Sequence, residues 1–162
     1  MKTFQRIISV PGLTNLGVVA EGKVYRAALP DYKLYPEFLL SQMPYPCNIL
    51  NLTEESEQAE VESLGLKYFQ YRLNIMSELT VDNFDLAIDT LSNPDNQPIL
   101  AHCLSGADRT GIICAAYRMR INGWTLAEAW EELECYGGGI HDVLNLNLKQ
   151  HLERYAEVKG FK

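Results

Sequence analysis

The chain alternates short apolar segments with amphipathic ones, and this alternation predicts the order of its secondary structure. Short apolar runs bounded by turn residues indicate buried strands, whereas apolar residues repeated every three or four positions indicate helices packed on a core. Strands are predicted over 17–29 (two strands around a turn at Glu21-Gly22), 47–52, 66–73 and 97–103. Helices are predicted over 37–43, 53–65, 80–93, 110–123, 126–136 and 141–158.

Residues typical of helix ends set several of these boundaries. Thr53 precedes an acid-rich stretch and Gly65 follows it, so we expect Thr53 to cap the N-terminus of a helix that Gly65 ends. Thr125 and Glu128 have the spacing of a capping box. The first half of 110–123 is almost wholly apolar, which predicts a central, buried helix.

Buried strands that alternate with helices favour an α/β fold with a mostly parallel central sheet flanked by helices. The chain has 162 residues, of which 47% are apolar, and we expect a single domain over 1–162. No segment reaches the roughly 20 apolar residues of a membrane span. The N-terminal stretch lacks the apolar centre of a secretory signal. The cysteine usage makes the cytoplasm the expected location.

Charge and cysteine content narrow the possible functions. The formal net charge is −7 and no basic face is evident, so we expect no nucleic-acid partner. The four cysteines form no Cys-x-x-Cys pair and, together with the three histidines, no zinc-site spacing. We expect reduced thiols, no metal and no cofactor. A net negative chain repels anions at long range, so an anion site has to be built locally.

The stretch "ILAHCLSGADRTGIICAAY" (99–117) joins a predicted buried strand to the central helix. Cys103 lies at the carboxyl end of the strand, where open α/β sheets bind ligands. Unpaired N–H groups at a helix start favour an anion, and Gly106 lets the loop curl so that these groups converge. Arg109 adds a planar fork that matches phosphate. The same field favours a thiolate at Cys103, so the loop combines an anion cradle with a nucleophile suited to attack on phosphorus.

The segment "HCLSGADRT" resembles the H-C-x5-R-[S/T] loop of cysteine-dependent phosphatases, the protein tyrosine and dual-specificity phosphatase superfamily. Within it the chain is similar to the small bacterial and plant-fungal enzymes of dual-specificity type. Looser similarity extends the resemblance over most of the chain. These segments are "VYRAALP" (24–30), "CNILNLTEESE" (47–57) and "NLNLKQHL" (145–152).

The resemblance implies a role for each residue of the loop. Cys103 is expected to be the nucleophile that forms a phosphocysteine. Thr110 is expected to donate a hydrogen bond to the sulfur and His102 to orient the loop and tune the thiol. The residues expected to bind the phosphoryl group are Leu104, Ser105, Gly106, Ala107, Asp108 and Arg109.

Several of these assignments have a plain alternative. Thr110 can serve as a helix N-cap, and His102 can be a core histidine. His141, which follows Tyr-Gly-Gly-Gly, either edges the pocket or begins the last helix. A reversible disulfide between Cys103 and a second cysteine is known in the superfamily, and the sequence does not select the partner.

The expected general acid is missing from its usual place. The resemblance implies an aspartate on a separate loop before the cysteine, but residues 71–80 read "YRLNIMSELT", with Asn74 near the expected position. Two carboxyl groups can substitute for it. Glu78 lies in that loop, and Asp108 lies in the loop of residues 103–109, which we call the phosphate loop. Related phosphatases with an aspartate just before the arginine include lipid phosphatases of the myotubularin type, and this aspartate is the acid proposed there. We choose Asp108, whose alternative role is to pair with a cation or cap the helix.

Together these features predict a hydrolase of phosphate monoesters that works through phosphocysteine without metal. The leading substrate class is phosphotyrosine or mixed phosphoprotein, and the alternative is a phosphoinositide or inositol phosphate. Leu104, Ala107 and the net charge weigh against the polyanionic substrates, whereas Asp108 weighs for them. An inactive phosphate-binding module is the rival from another class. We expect a phosphorylated protein or small phosphate ester as partner; the oligomeric state does not follow from the sequence.

Overall fold

A six-stranded sheet organises the part of the chain that the computed structural model describes, residues 6–34, 47–76, 79–139 and 142–161. Its strands lie in the order β1-β2-β3-β6-β4-β5. They are β1 (Arg6–Val10), β2 (Leu13–Ala20), β3 (Val24–Ala27), β4 (Asn48–Asn51), β5 (Tyr68–Gln70) and β6 (Ile99–His102). β3, β6, β4 and β5 pair in parallel, while β1 and β2 extend the sheet with antiparallel pairs. The predicted α/β fold with a mostly parallel sheet is confirmed.

Five α-helices flank this sheet in the described ranges. They are α1 (Gln58–Ser63), α2 (Val81–Ser92), α3 (Asp108–Asn122), α4 (Leu126–Cys135) and α5 (Asp142–Lys159), with a short 3-10 helix at Pro94–Asn96. α2 and α4 begin with capping boxes at Thr80 and Thr125, the second of which the sequence predicted. None of the helices in these ranges is long and apolar enough to cross a membrane.

The helix predicted over 53–65 is shorter than expected, because Thr53 does not cap it. The Asn51 side chain accepts a hydrogen bond from the Thr53 N–H at 2.7 Å, and the Thr53 hydroxyl donates to the Glu55 carbonyl at 3.3 Å. Such local bonds compete with helix formation. The chain therefore bends after β4, and α1 begins only at Gln58.

Other sequence predictions differ in their limits or fall outside the described residues. The strand β1 and the 3-10 helix were not predicted, and α3 begins at Asp108 rather than at 110. The helix predicted over 37–43 lies outside the described residues. So do Glu78 and His141.

α3 is the central helix of the fold. It contacts β3, β6 and three other helices, so apolar residues are buried around much of its circumference rather than along one stripe. Arg118 of α3 forms a bidentate ion pair with Glu132 of α4, with N–O distances of 2.8 and 2.9 Å, and also donates to the carbonyls of Val18 and Val19. These contacts hold α3 against α4 and β2 and thereby fix where its N-terminus lies.

Candidate active site

The loop between β6 and α3 forms at the carboxyl edge of the sheet. Cys103 follows the buried strand β6 and is itself only 3% exposed. Gly106 has φ +70°, and a Cβ there would lie 2.5 Å from the carbonyl carbon of Ala27. Only glycine therefore lets the loop pack this closely on β3. As predicted, Gly106 allows the tight curl.

Three successive carbonyl groups of the loop face away from the phosphate position. Leu104 accepts from the Leu29 N–H at 3.1 Å, Ser105 from the Asn15 side chain at 3.0 Å, and Gly106 from Arg26 at 2.9 Å. In a trans peptide the next N–H points opposite to the carbonyl. The N–H groups of residues 105–107 therefore face the open side of the loop and form a cradle for an oxyanion, in which the Ala107 N–H already donates to the Ser105 hydroxyl oxygen at 3.3 Å.

The start of α3 adds donors to this cradle. Its N-cap residue, Ala107, supplies no side-chain hydrogen bond. The N–H groups of the first helical turn have no partner within a helix, and the helix dipole places partial positive charge there. An anion bound by the loop can satisfy these groups.

Arg26 places a buried guanidinium behind the loop. It is fully buried on β3, and its carbon lies 3.7 Å above the centre of the Tyr136 ring, a cation–π contact. Nη2 holds the Gly106 carbonyl, whereas Nε and Nη1 have no hydrogen-bond partner within the described residues. Burial raises the pKa of Tyr136 to about 12, so its ring stays neutral beneath the cation. The sequence signal for this contact between Arg26 and the loop was a charged residue in an otherwise apolar strand.

Arg109 lies beside the cradle and is half-buried. Its guanidinium makes no ion pair or hydrogen bond within the described part of the chain. It borders a pocket of about 190 Å³. The other residues lining this pocket are Leu29, Thr53, Glu54, Glu55, Glu57 and Leu104. The planar fork is therefore available to an incoming phosphate.

His102 is held at the end of β6. It is fully buried; Nε2 lies 3.0 Å from a Glu57 carboxylate oxygen, and Nδ1 lies 3.4 Å from the Cys103 carbonyl oxygen. The same Glu57 oxygen accepts from the Tyr32 hydroxyl at 2.9 Å. A carboxylate from a separate segment thus lies at ion-pair distance from His102, without the geometry of a hydrogen bond at Nε2. Glu57 has no local sequence signal for this role, because only the fold brings the two together.

Thr110 lies inside α3, at its third residue, rather than at the N-cap. The residue is fully buried, and its hydroxyl has no hydrogen-bond partner among the described residues. A buried hydroxyl without a partner costs free energy. The hydroxyl is therefore free to donate to a group formed or bound at the loop.

Asp108 is the first residue of α3 and is half-buried. Its Oδ1 accepts a hydrogen bond from the Gly139 N–H at 2.9 Å. One carboxyl oxygen therefore anchors the loop to the turn after α4, and the other is not committed by this contact. Asn74, near the expected position of the missing aspartate, is exposed, and its side chain accepts from the Met76 N–H at 3.1 Å.

Two other cysteines are poor rivals to Cys103 as nucleophile. Burial raises the pKa of the Cys114 thiol to about 11 and that of Cys47 to about 12. Both thiols therefore stay protonated near neutral pH.

The site has a cysteine at the end of a central strand, an N–H cradle and an arginine at the start of a buried helix. This combination is typical of cysteine-dependent phosphatases. The chain belongs to the tyrosine phosphatase family, whose family model matches residues 11–159. It is 35% identical to the dual specificity protein phosphatase TpbA of Pseudomonas aeruginosa over 144 residues, which is 86% of this chain and 62% of TpbA. It is 29% identical to the inositol diphosphatase SIW14 of Saccharomyces cerevisiae over 122 residues, 68% of this chain and 41% of SIW14.

Solved structures share the same fold. The crystal structure of Pseudomonas aeruginosa TpbA superposes with a TM-score of 0.74 at 18% identity, covering 96% of both chains. The catalytic core of Saccharomyces cerevisiae SIW14 gives a TM-score of 0.69 at 24% identity, covering 90% of this chain and 93% of that core. The chain spans 40–64% of the length of the first four curated relatives that it matches.

Proposed function

We propose that the protein is a cysteine-dependent phosphatase that hydrolyses phosphate monoesters, with phosphotyrosine or mixed phosphoproteins as its substrate class. The observation that carries this proposal is the loop between β6 and α3. It arranges Cys103, backbone N–H groups that face one side of the loop, and Arg109, which has no ion pair within the described residues, on one short segment. The tyrosine and dual specificity phosphatases among the relatives support the same activity.

In the first step the Cys103 thiolate attacks phosphorus. A sulfur–phosphorus bond forms as the bond to the leaving oxygen breaks, while the loop N–H groups and the Arg109 fork bind the other phosphoryl oxygens. Asp108 gives a proton from its uncommitted carboxyl oxygen to the leaving oxygen. The alcohol or phenol then departs as a neutral molecule.

In the second step water attacks the phosphocysteine. The ionised Asp108 takes a proton from this water, the phosphorus–sulfur bond breaks, and inorganic phosphate leaves. The Thr110 hydroxyl donates a hydrogen bond to the departing Cys103 sulfur. His102, whose Nε2 lies 3.0 Å from a Glu57 oxygen, keeps the end of β6 in place during both steps.

The pocket beside Arg109 favours a substrate with one phosphate on an apolar group. Leu29 and Leu104 expose 42% and 63% of their surfaces at its edge. Glu54 and Glu55 are exposed, and their side chains form no ion pair or hydrogen bond within the described residues. Like charges repel, so these carboxylates disfavour a ligand that carries several phosphates. An aromatic ring can instead pack on the two leucines.

An inositol-phosphate phosphatase is the second candidate function. The relatives SIW14 of Saccharomyces cerevisiae and DSP1 of Oryza sativa are inositol diphosphatases, at 29% and 26% identity. The acidic pocket edge weighs against this candidate, and the similarity of the chain to those two proteins weighs for it.

A substrate panel tests the proposal. The purified protein is assayed with a phosphotyrosine peptide, a phosphoserine peptide, a phosphoinositide and inositol polyphosphates, with and without EDTA. We expect the highest kcat/KM for the phosphotyrosine peptide and no effect of the chelator. A higher kcat/KM for inositol polyphosphates than for the phosphotyrosine peptide would make inositol phosphates the substrate class. Binding without turnover at any pH would indicate a phosphate-binding module.

The cellular location is part of the proposal. All four cysteines lie in the described ranges, where they form no disulfide. Reduced thiols are typical of a reducing compartment. The proposal therefore includes a cytoplasmic location and phosphorylated proteins as partners; thiol titration of protein isolated under non-reducing conditions tests its redox part.

A further inference from the structure

Asn15 touches the phosphate loop from a distant part of the chain. Its Nδ2 donates to the Ser105 carbonyl at 3.0 Å and to the Tyr136 carbonyl at 2.9 Å. Because a carbonyl oxygen can only accept, both contacts need the NH2 group of an amide, which fixes the orientation of the side chain. One side chain thereby fastens the loop to the residues that follow α4.

The backbone of Asn15 is unusual for a strand. Its φ is +53°, in the left-handed region that asparagine tolerates better than most residues. The ladder between β1 and β2 pairs Ser9 with Thr14 and Ile7 with Leu16, and it has no pair at Asn15. The strand therefore gives up regular pairing at the residue whose side chain reaches the loop.

We propose that Asn15 is a positioning residue for phosphate binding. By holding the Ser105 carbonyl behind the loop, it directs the Gly106 N–H toward a phosphate oxygen, since these two groups share one trans peptide. The other two outward carbonyls are held by Leu29 and Arg26, so Asn15 controls the middle donor of the three. The inference rests on the proposed function only in requiring that the loop binds phosphate.

Two substitutions separate the amide from the backbone. Asn15→Gly keeps the left-handed conformation free of strain and removes the donor. Asn15→Asp keeps the size of the side chain but brings carboxylate oxygens against two carbonyl oxygens. Thr14→Ala is the matched control, because the Thr14 side chain is exposed on the same strand and makes no hydrogen bond to a described residue, while its backbone carbonyl accepts from the Ala28 N–H.

Vanadate binding by calorimetry and kcat/KM for p-nitrophenyl phosphate are measured beside the melting temperature. We expect Asn15→Gly to melt close to wild type, yet to bind vanadate about tenfold more weakly and to lose about tenfold in kcat/KM. This is less than the 10²–10³-fold for deleting a whole oxyanion donor, because the N–H is misdirected rather than removed. Asn15→Asp should lose at least as much vanadate affinity and kcat/KM. Thr14→Ala should lose neither.

Wild-type vanadate affinity and turnover in Asn15→Gly would overturn the proposal. So would unfolding of both Asn15 variants beside a stable Thr14→Ala, since the residue would then serve the strand and not the loop. If the wild-type protein binds vanadate but has no turnover, the proposed function fails. The role of Asn15 is still tested in that case, because the variants are also compared by their vanadate affinity.

Discussion

At the scale of single residues, the loop is surrounded by polar groups whose hydrogen-bonding capacity the protein does not use itself. The Thr110 hydroxyl and two nitrogens of Arg26 are buried without a hydrogen-bond partner in the described ranges. Arg109 likewise has no ion pair there. Buried polar groups are nearly always paired, so the Thr110 hydroxyl is a candidate to bond a group bound or formed at the loop, whereas the Arg26 nitrogens lie behind the loop.

Asp108→Asn is the substitution that tests the general acid. The asparagine side chain keeps an oxygen that can accept from the Gly139 N–H, so the anchor to the turn after α4 survives while the proton is lost. We expect phenyl phosphate turnover to fall roughly 10²–10⁴-fold, the usual worth of general acid catalysis. The loss for p-nitrophenyl phosphate should be far smaller, because its leaving group barely needs a proton.

Two controls accompany this comparison of leaving groups. Asp108→Ala removes the anchor as well as the acid, so both substrates should lose activity. Glu78→Gln should show no dependence on the leaving group. Equal losses for the two substrates in Asp108→Asn would make the residue structural, and a steep dependence in Glu78→Gln would move the acid to the upstream loop.

At the scale of elements, the segment between β4 and α1 shapes the pocket. The bend fixed by Asn51 replaces the helical turn that the sequence predicted, and it brings Glu54 and Glu55 to the pocket beside Arg109. A helix over the same residues would begin at Thr53. The later helix start therefore changes which side chains line the pocket of the proposed substrate site.

The double substitution Glu54→Gln/Glu55→Gln tests whether this segment selects against polyanions. We expect kcat/KM for an inositol polyphosphate to rise about tenfold at low salt, since one exposed charge at close range is worth about 1 kcal/mol in water. Turnover of a phosphotyrosine peptide should change little. The gain should shrink at high ionic strength, which screens exposed charges.

Glu60→Gln/Glu62→Gln is the matched control for net charge. It changes the charge of the chain by the same amount on α1, at exposed residues that do not line the pocket. An equal gain in both double variants would assign the effect to the charge of the molecule as a whole. No gain in either would remove the charge argument against inositol polyphosphates.

At the scale of the whole molecule, Asp85 of α2 joins three helices. It accepts from Lys159 at 2.6 Å and Tyr155 at 3.0 Å on α5, and from Arg120 at 3.2 Å on α3. Partial burial by itself favours the neutral acid, but these hydrogen bonds and the charges of Lys159 and Arg120 outweigh it and lower the pKa of Asp85 below its ordinary 3.8. The ionised carboxylate therefore stabilises the fold above that pH.

Asp85→Asn should lower the free energy of unfolding by about 1 kcal/mol near neutral pH, a modest value because the network is partly exposed. The difference from wild type should fade as the pH drops below about 4, where the wild-type carboxylate begins to gain a proton and its contribution is lost. Urea unfolding at several pH values measures this. Asp89→Asn, at a more exposed carboxylate whose ion pair within the described residues is with Arg120, should have a smaller effect; a pH-independent loss in Asp85→Asn would refute the electrostatic account.

Local patterns predicted the central features of this molecule and not the contacts between distant segments. The strand, loop and helix around Cys103 are continuous in sequence, so their pattern and glycine position were sufficient. Asn15 contacts the loop and Glu57 contacts His102 only because β2 and the start of α1 fold against that end of the sheet, and no local pattern reports these contacts. Arg26 lay in a segment that resembled the family, yet its bond to Gly106 became visible only in the structure.

The central claim is that Cys103 carries the phosphoryl group during turnover. Its most direct test is rapid acid quenching of the enzyme with p-nitrophenyl phosphate, followed by mass spectrometry of the peptide that contains Cys103. We predict a phosphoryl adduct on Cys103 in the wild type. In Cys103→Ser we predict no turnover with vanadate binding retained, because the cradle and Arg109 remain. A phosphoryl group on another residue, or substantial turnover by Cys103→Ser, would contradict the account.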